Sequence, residues 1–238
     1  MPKNGIKLIP HKQILRYEEI IDFVKIAVNY GINKIRLTGG EPLVRKGIVS
    51  FIHMLSEIKE IKDLALTTNG FYLEEMAHEL KQAGIHRINV SIDSLNPDKF
   101  KEITRGGNVE KVVRGILKAK EVGFHPIKIN IVNLHDSQQD IENVTAFAKQ
   151  HGFEVRLIQL MILEKGLFSK VEGGDGGNCS QCNRLRLTSD GYLMPCLFND
   201  IKFSIRKHGY EQALLLAVRH KPQLGLSNHT RHFCNIGG

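Results

Sequence analysis

Five times along this chain a short apolar run that reads as a strand alternates with a segment of helical period. Strands are expected at Lys34 to Leu37, Leu64 to Thr67, His86 to Ile92, Pro126 to Val132 and Glu154 to Leu160. Helices are expected at Tyr17 to Tyr30, Ile48 to Ile58, Leu73 to Ala83, Val109 to Val122 and Asp140 to Gln150, several of them stopped by a glycine such as Gly31, Gly84, Gly123 or Gly152. Alternation with short links is the pattern of βα units around a parallel sheet. The fold class is therefore α/β with parallel strands over residues 1–164. A small C-terminal cysteine-hairpin extension follows over 165–238.

Three strands break off in polar tips, T-G-G-E, T-T-N-G and S-I-D-S. In parallel α/β sheets and barrels the carboxyl edge of the strands carries the active site. Gly39 and Gly40 let the backbone turn and approach a ligand closely, though a plain tight βα turn would use them equally well. Glu41 stands at the rim, where its carboxylate could accept hydrogen bonds from an ammonium group. Thr67 and Ser91 offer hydroxyls at equivalent strand ends. Lys128 interrupts an apolar run, which is costly unless it points at an anion or faces outward at an edge, and Arg156 is ambiguous in the same way.

After Met161 the alternation stops, and E-G-G-D-G-G (172–177) reads as a flexible link. Cys179, Cys182 and Cys196 follow, spaced C-x2-C and then thirteen residues. Between the last two lies a hairpin signal, with Ser189-Asp190-Gly191 as its turn. A loop over Thr188 to Gly191 would set Cys196 opposite Asn183 and bring all three sulfurs to one point, as soft-metal and iron–sulfur sites require. Arg184 and Arg186, two apart, would project from one face beside it and suit an anionic ligand bound against metal. Spacing alone leaves two metals open. One is structural zinc, with Cys234 as a fourth thiolate or His229 or His232 as a ligand; the other is an iron–sulfur cluster.

The N-terminus has no apolar run of signal-peptide length, so the cysteines are expected in a reducing, cytoplasmic compartment rather than in disulfides. No segment is apolar enough to cross a membrane. The net charge of +8 favours an anionic partner, but the basic residues form no arm and aromatics are only 7%, which argues against nucleic acid.

The ordered set T-G-G-E-P, L-T-T-N-G, V-S-I-D-S-L, K-I-N, V-R-L-I-Q-L-M, C-x2-C-N-R-L-R-L-T-S-D-G and a terminal G-G resembles the MoaA family of radical S-adenosylmethionine (SAM) enzymes across nearly the whole chain. These are lyases, GTP 3′,8-cyclases of molybdenum cofactor biosynthesis. The resemblance implies an incomplete (βα) barrel of TIM type, a partial (βα)6 barrel, over residues 1–164 and a C-terminal extension over 165–238 carrying a second [4Fe–4S] cluster. Cys179, Cys182 and Cys196 would hold that cluster, its fourth iron open to the guanine of GTP. Arg184 and Arg186 would bind GTP beside it, with Arg36, Thr67 and Lys128 as further GTP contacts and Lys34 and Arg156 as additional candidates. Gly39, Gly40, Glu41, Ser91 and Met161 would contact SAM, and Gly237 and Gly238 match the family's double-glycine tail. The implied partner is GTP or a related purine nucleotide; a homodimer is possible.

The chain also departs from that family. It starts at Met1-Pro2, where the family has first a strand and a C-x3-C-x2-C loop, so the expectation is an N-terminally truncated protein lacking the ligands of the SAM-cleaving [4Fe–4S] cluster. Gln159 stands where Glu is usual and Ile162 where Pro is usual, 133–139 is a short, altered loop, and the stretch before Cys179 is short. A catalytically inactive nucleotide- and iron–sulfur-binding homologue, or a zinc-ribbon-bearing barrel of other function, are the alternative readings.

Overall fold

The computed structural model describes residues 9–134 and 137–229. In chain order its elements are α1 (Tyr17–Asn29), β1 (Lys34–Leu37), α2 (Ile48–Ser56), β2 (Asp63–Thr68), α3 (Leu73–Gln82), β3 (Arg87–Ser91), α4 (Pro97–Thr104) and α5 (Val109–Glu121). These are followed by β4 (Ile127–Asn133), α6 (Gln138–His151), β5 (Glu154–Gln159), β6 (Arg186–Leu187), β7 (Tyr192–Met194), β8 (Phe203–Ser204), α7 (Ile205–His208) and α8 (Tyr210–Arg219). Packing divides the chain into two units. One is Lys34–Leu160 with Ser169–Gly176; the other comprises the described parts of Met1–Asn33, Met161–Phe168 and Gly177–Gly238. The boundary expected at 164/165 thus differs from the division by packing: α1 groups with the cysteine segment rather than with the barrel strands.

In the first unit, β1 to β5 lie side by side in chain order, every neighbouring pair parallel. This is the incomplete (βα) barrel read from the sequence. Period-2 alternation gives the sheet two unlike faces. Leu64, Leu66, Ile88, Val90, Ile129 and Ile131 share one face and are fully buried. Each such side chain contributes about 1.5–3 kcal/mol. Val90 on this face and Val112 of α5 both close on Gly70, where a Cβ would come within 2.9 Å of each and where φ is +79°. Only glycine can make that turn without displacing the helix.

The other face is polar, row by row. Register aligns Arg36 with Ala65 and Arg87; Thr67 with Asn89, Lys128 and Glu154; and Ser91 with Asn130 and Arg156. Parallel sheets are commonly apolar on both faces. A polar row on one face therefore sets this sheet apart from one packed on both sides.

α4 has no counterpart among the expected helices. Its start was nevertheless written in Asn96-Pro97: the Asn96 side chain accepts from the Lys99 amide at 3.0 Å, and Pro97 sits at a first-turn position where its missing N–H costs nothing.

In the second unit, β6, β7 and β8 form an antiparallel three-stranded sheet. α1 packs on α8, with the Phe23 and Tyr210 rings edge to face at 6.4 Å. Arg206 forks onto both carboxylate oxygens of Glu19, at 2.8 and 3.0 Å, and donates to the carbonyls of Gln13 and Ile14. Arg206 holds the Glu19 carboxyl at about 2, against the opposing pull of burial.

Candidate active site

At the carboxyl edge of the sheet, Glu41 ties two tips together. Its Oε1 accepts from the Leu43 amide at 3.0 Å and from the Thr68 hydroxyl at 2.8 Å, and its Oε2 accepts from the Asn69 amide at 2.7 Å. The sequence reading offers this carboxylate to a ligand ammonium. In the structure its hydrogen bonds go instead to the T-T-N-G turn and to its own turn. Gly39 and Gly40 remain exposed, with nothing within 4 Å of an added Cβ at either, so their backbone is open to a ligand. Ser91 is exposed at the end of β3. Just beyond it, burial pushes the Asp93 carboxyl above its usual range even though the Val132 amide donates to it at 2.8 Å.

The inner face holds both satisfied and unsatisfied groups. Arg87 makes a two-pronged pair with Asp63, at 2.7 and 2.5 Å. Lys128 pairs with Glu154, its neighbour in register. Its charge is thus matched inside the sheet, which is why a lysine is tolerated in that apolar run. Asn89 donates to the Thr67 hydroxyl at 3.1 Å. The Oδ1 atoms of Asn89 and Asn130 are buried and accept no hydrogen bond, an arrangement that native folds keep for a reason. The sequence reading named neither asparagine. The signal was there, an Asn at alternate positions of the apolar runs I-N-V-S and I-N-I. At the far end of β4 and β5, Asn133 donates to Gln159 at 3.0 Å, so the amide standing in for the usual Glu has a neutral partner.

The cysteine segment forms a recess of the second unit. Gly177, Asn178, Cys179, Cys182, Arg184, Arg186, Pro195, Cys196 and Leu197 line about 400 Å³ of space open to solvent. Cys179 and Cys182 share a tight turn, the Cys182 amide donating to the Cys179 carbonyl at 3.1 Å. The hairpin register differs by one residue from the expected one. Arg186 pairs with Met194 and Leu187 with Leu193, so the line runs from Cys196 to Arg184 rather than to Asn183. Thr188 causes the shift by closing a longer loop: its amide donates to the Tyr192 carbonyl at 2.9 Å and its hydroxyl oxygen accepts from the Tyr192 amide at 3.0 Å.

The three thiols are half-buried and free. Among the described residues no group of three His, Cys, Asp or Glu side chains is gathered to hold a metal ion. The sulfurs therefore share a recess rather than the single point expected from spacing. A zinc ion would need all its sulfurs at about 2.3 Å. Cluster ligation differs in geometry, because each thiolate binds a separate iron, so three thiols lining one recess suit it without meeting at a point.

Electrostatics in the recess favour thiolates. Burial works to raise the Cys182 thiol, but a hydrogen bond from the Arg184 backbone, the Arg184 charge and the Lys221 ammonium more than offset it, and its pKa is lowered. Burial and the neighbouring Arg184 push the Arg186 guanidinium below its usual value, with Cys182 and Cys196 opposing.

The predicted site residues divide between the units. Lys34, Arg36, Gly39, Gly40, Glu41, Thr67, Ser91, Lys128 and Arg156 belong to the barrel unit. Met161, Cys179, Cys182, Arg184, Arg186 and Cys196 belong to the other, where Met161 packs against the cluster of Leu163, Met194 and Phe198. His229 bonds through its ring to the Ser227 hydroxyl at 3.0 Å and does not line the recess. His232, Cys234, Gly237 and Gly238 lie outside the described residues.

A family model described as the radical SAM superfamily matches residues 4–148. The GTP 3′,8-cyclase of Thermodesulfovibrio yellowstonii is 37% identical over 296 aligned residues, covering 100% of this chain and 92% of the relative. The chain belongs to the GTP 3′,8-cyclase family of radical SAM proteins. The GTP 3′,8-cyclase of Alkaliphilus oremlandii is 40% identical over 272 residues, covering 94% of this chain and 85% of its own length. The stretch aligned with the first relative is 296 positions long against 238 residues here, and the excess of 58 falls opposite gaps in this chain. Among solved structures, Streptococcus suis SuiB bound to S-adenosylmethionine superposes with a TM-score of 0.53 at 18% identity, covering 68% of this chain and 36% of that one. At that identity the likeness concerns the fold. No helix among the described residues is long and apolar enough to cross a membrane.

Proposed function

We propose that these residues serve the conversion of GTP to 3′,8-cyclo-7,8-dihydro-GTP in molybdenum cofactor synthesis, with SAM as the radical source and an iron–sulfur cluster in the cysteine recess. The observation that carries this reading is the lining of that recess. Three free thiols and two arginines share one wall, so a soft metal group and an anionic ligand can be held side by side. The relatives named GTP 3′,8-cyclase supply the ligand's identity.

Cys179, Cys182 and Cys196 would hold the cluster, as thiolates favoured by the neighbouring cations. When bound, such a cluster supplies a Lewis-acidic iron and SAM supplies a carbon radical. Arg184 and Arg186 bind and orient the nucleotide, and burial of Arg186 strengthens each charge-assisted bond it makes. Arg36 and Lys34, exposed on β1, add cationic contacts for a polyphosphate. The exposed backbone at Gly39 and Gly40 and the Ser91 hydroxyl fit a SAM cradle, and the buried Asn130 Oδ1, in register with Ser91, offers an acceptor to a ligand hydroxyl or ammonium.

Reductive cleavage of SAM needs a further cluster. The sequence has four cysteines, three of them in the recess, so these 238 residues contain no second set of three. The second reading is a protein that binds nucleotide and one cluster without cleaving SAM.

Anaerobic reconstitution followed by iron, sulfide and zinc analysis tests the cluster, and calorimetric titration with GTP tests the ligand. The expected result is about four iron and four sulfide per chain, lost in Cys196→Ser, and GTP binding weakened about 10- to 100-fold in Arg186→Met. Zinc without sulfide, or GTP affinity untouched by the arginine, would overturn the reading. Formation of 5′-deoxyadenosine from SAM separates the two readings.

A further inference from the structure

Lys221 follows α8, thirty-nine positions beyond Cys182, and does not line the recess. Its ammonium donates at 2.7 Å to the Arg184 carbonyl and at 2.7 Å to the Pro195 carbonyl. These two residues lie on the two arms of the cysteine hairpin, two positions after Cys182 and one before Cys196. The β6–β7 ladder pairs only Arg186 with Met194 and Leu187 with Leu193, and so stops short of both. The Arg184 and Pro195 carbonyls are therefore joined through a side chain beyond the end of the ladder. An ammonium has three donors. Two go to these carbonyls, and the Lys221 ammonium, by its charge and by hydrogen bonding, acts to lower the Cys182 thiol pKa.

We propose that Lys221 is a positioning residue of the cysteine recess: it fastens together the two arms that carry Cys182 and Cys196, and its positive charge, held on those arms, raises the reduction potential of the cluster bound there. This rests on reading the recess as a cluster site. One-electron reduction by an outside donor adds one negative charge to the cluster and moves no proton. A cation behind a ligating sulfur stabilises that extra charge, and hydrogen bonds to cluster sulfurs act in the same direction. Arg184 and Arg186 also bear positive charge, but they line the recess, whereas Lys221 is committed to the two backbone carbonyls.

The test uses anaerobically reconstituted full-length protein and three readouts: iron and sulfide per chain, the electron paramagnetic resonance spectrum of the dithionite-reduced cluster, and its midpoint potential. Lys221→Met keeps the aliphatic stem and removes donors and charge; Lys221→Arg keeps both. The expected result is a cluster in both variants. Lys221→Met should be harder to reduce by at least tenfold in the reduction equilibrium, about 59 mV for one electron. Lys221→Arg should return most of that shift. Wild-type potential in Lys221→Met overturns the proposal. Should Lys221→Met hold no iron, restoration by Lys221→Arg supports the fastening role, and an equally empty Lys221→Arg overturns it. Should the wild type bind zinc and no sulfide, the cluster reading fails on its own. The fastening role is then judged by the rate at which a chelator strips the zinc: faster loss from Lys221→Met supports it, and an unchanged rate overturns it.

Discussion

Glu41 is the most informative residue to perturb, because the sequence and the structure give it different employment. Its carboxylate takes three hydrogen bonds, from the Leu43 amide, the Thr68 hydroxyl and the Asn69 amide. Leu43 and Thr68 are buried, at 6% and 3% exposure, so removing the carboxylate strands two donors away from water. Each stranded donor costs about 1–3 kcal/mol, whereas the exposed Asn69 amide can turn to solvent at little cost. Glu41→Ala should therefore destabilise the protein by about 2–6 kcal/mol. In a chain of this length each kcal/mol lowers Tm by about 2–4 °C, so a fall of roughly 4–24 °C is expected. Glu41→Gln keeps one acceptor oxygen and turns the other into a donor facing donors, and should fall between wild type and alanine. Differential scanning calorimetry of the apo protein, without SAM, is the appropriate assay. A Tm within 2 °C of wild type for Glu41→Ala would refute the reasoning. If SAM affinity nevertheless fell, the ligand role read from the sequence would be the correct one.

Arg206→Met removes the fork on Glu19. Because the Glu19 carboxyl sits at about 2 in the folded protein, below the range of about 4.3 for an unfolded chain, the pair stabilises above pH 4.3, and this contribution is lost as pH falls toward 2. The Tm gap between wild type and Arg206→Met should be open at pH 7 and close progressively below pH 4; a gap independent of pH would show that Glu19 is not the partner that matters. Gly115→Val should destabilise by about 1–3 kcal/mol, since even a Cβ there meets the Glu74 amide at 3.0 Å and the Gly70 carbonyl at 3.1 Å where α5 crosses α3. Unchanged urea unfolding would mean that the two helices can part cheaply. Gly225→Leu should displace Cys196, because a Cβ at this position already lies 2.8 Å from the Phe198 side chain and 3.4 Å from the Cys196 sulfur. The readout is loss of metal on reconstitution, with retained far-ultraviolet circular dichroism as the control.

Much of the barrel was legible because its rules are local. Apolar alternation places a strand, a following glycine stops a helix, and a T-G-G or T-T-N-G tip can only be a turn, so all five parallel strands fell where periodicity put them. The start of α4 is also encoded locally, in Asn96-Pro97. Contacts between distant residues were a different problem. Nothing near Lys128 in sequence says that Glu154 stands beside it, because the pairing depends on the register of β4 against β5. The one-residue shift of the cysteine hairpin has a similar origin. The turn residues Ser189-Asp190-Gly191 suggest a four-residue loop, and only the Thr188 side chain, bonding both ways with Tyr192, lengthens it to five.

The sequence by itself determined the parallel α/β order, the spacing of three thiols with two arginines beside them, and through its ordered motifs the radical SAM family. The tertiary structure decided which polar groups have protein partners and which do not. Glu41 and Lys128 are held by protein partners, Asn89 and Asn130 keep a buried oxygen without one, and Lys221 stands behind the cysteines from nearly forty residues away. Periodicity and spacing are properties of neighbours along the chain. Hydrogen bonding and burial depend on which distant segments fold back against each other, and no local pattern encodes that.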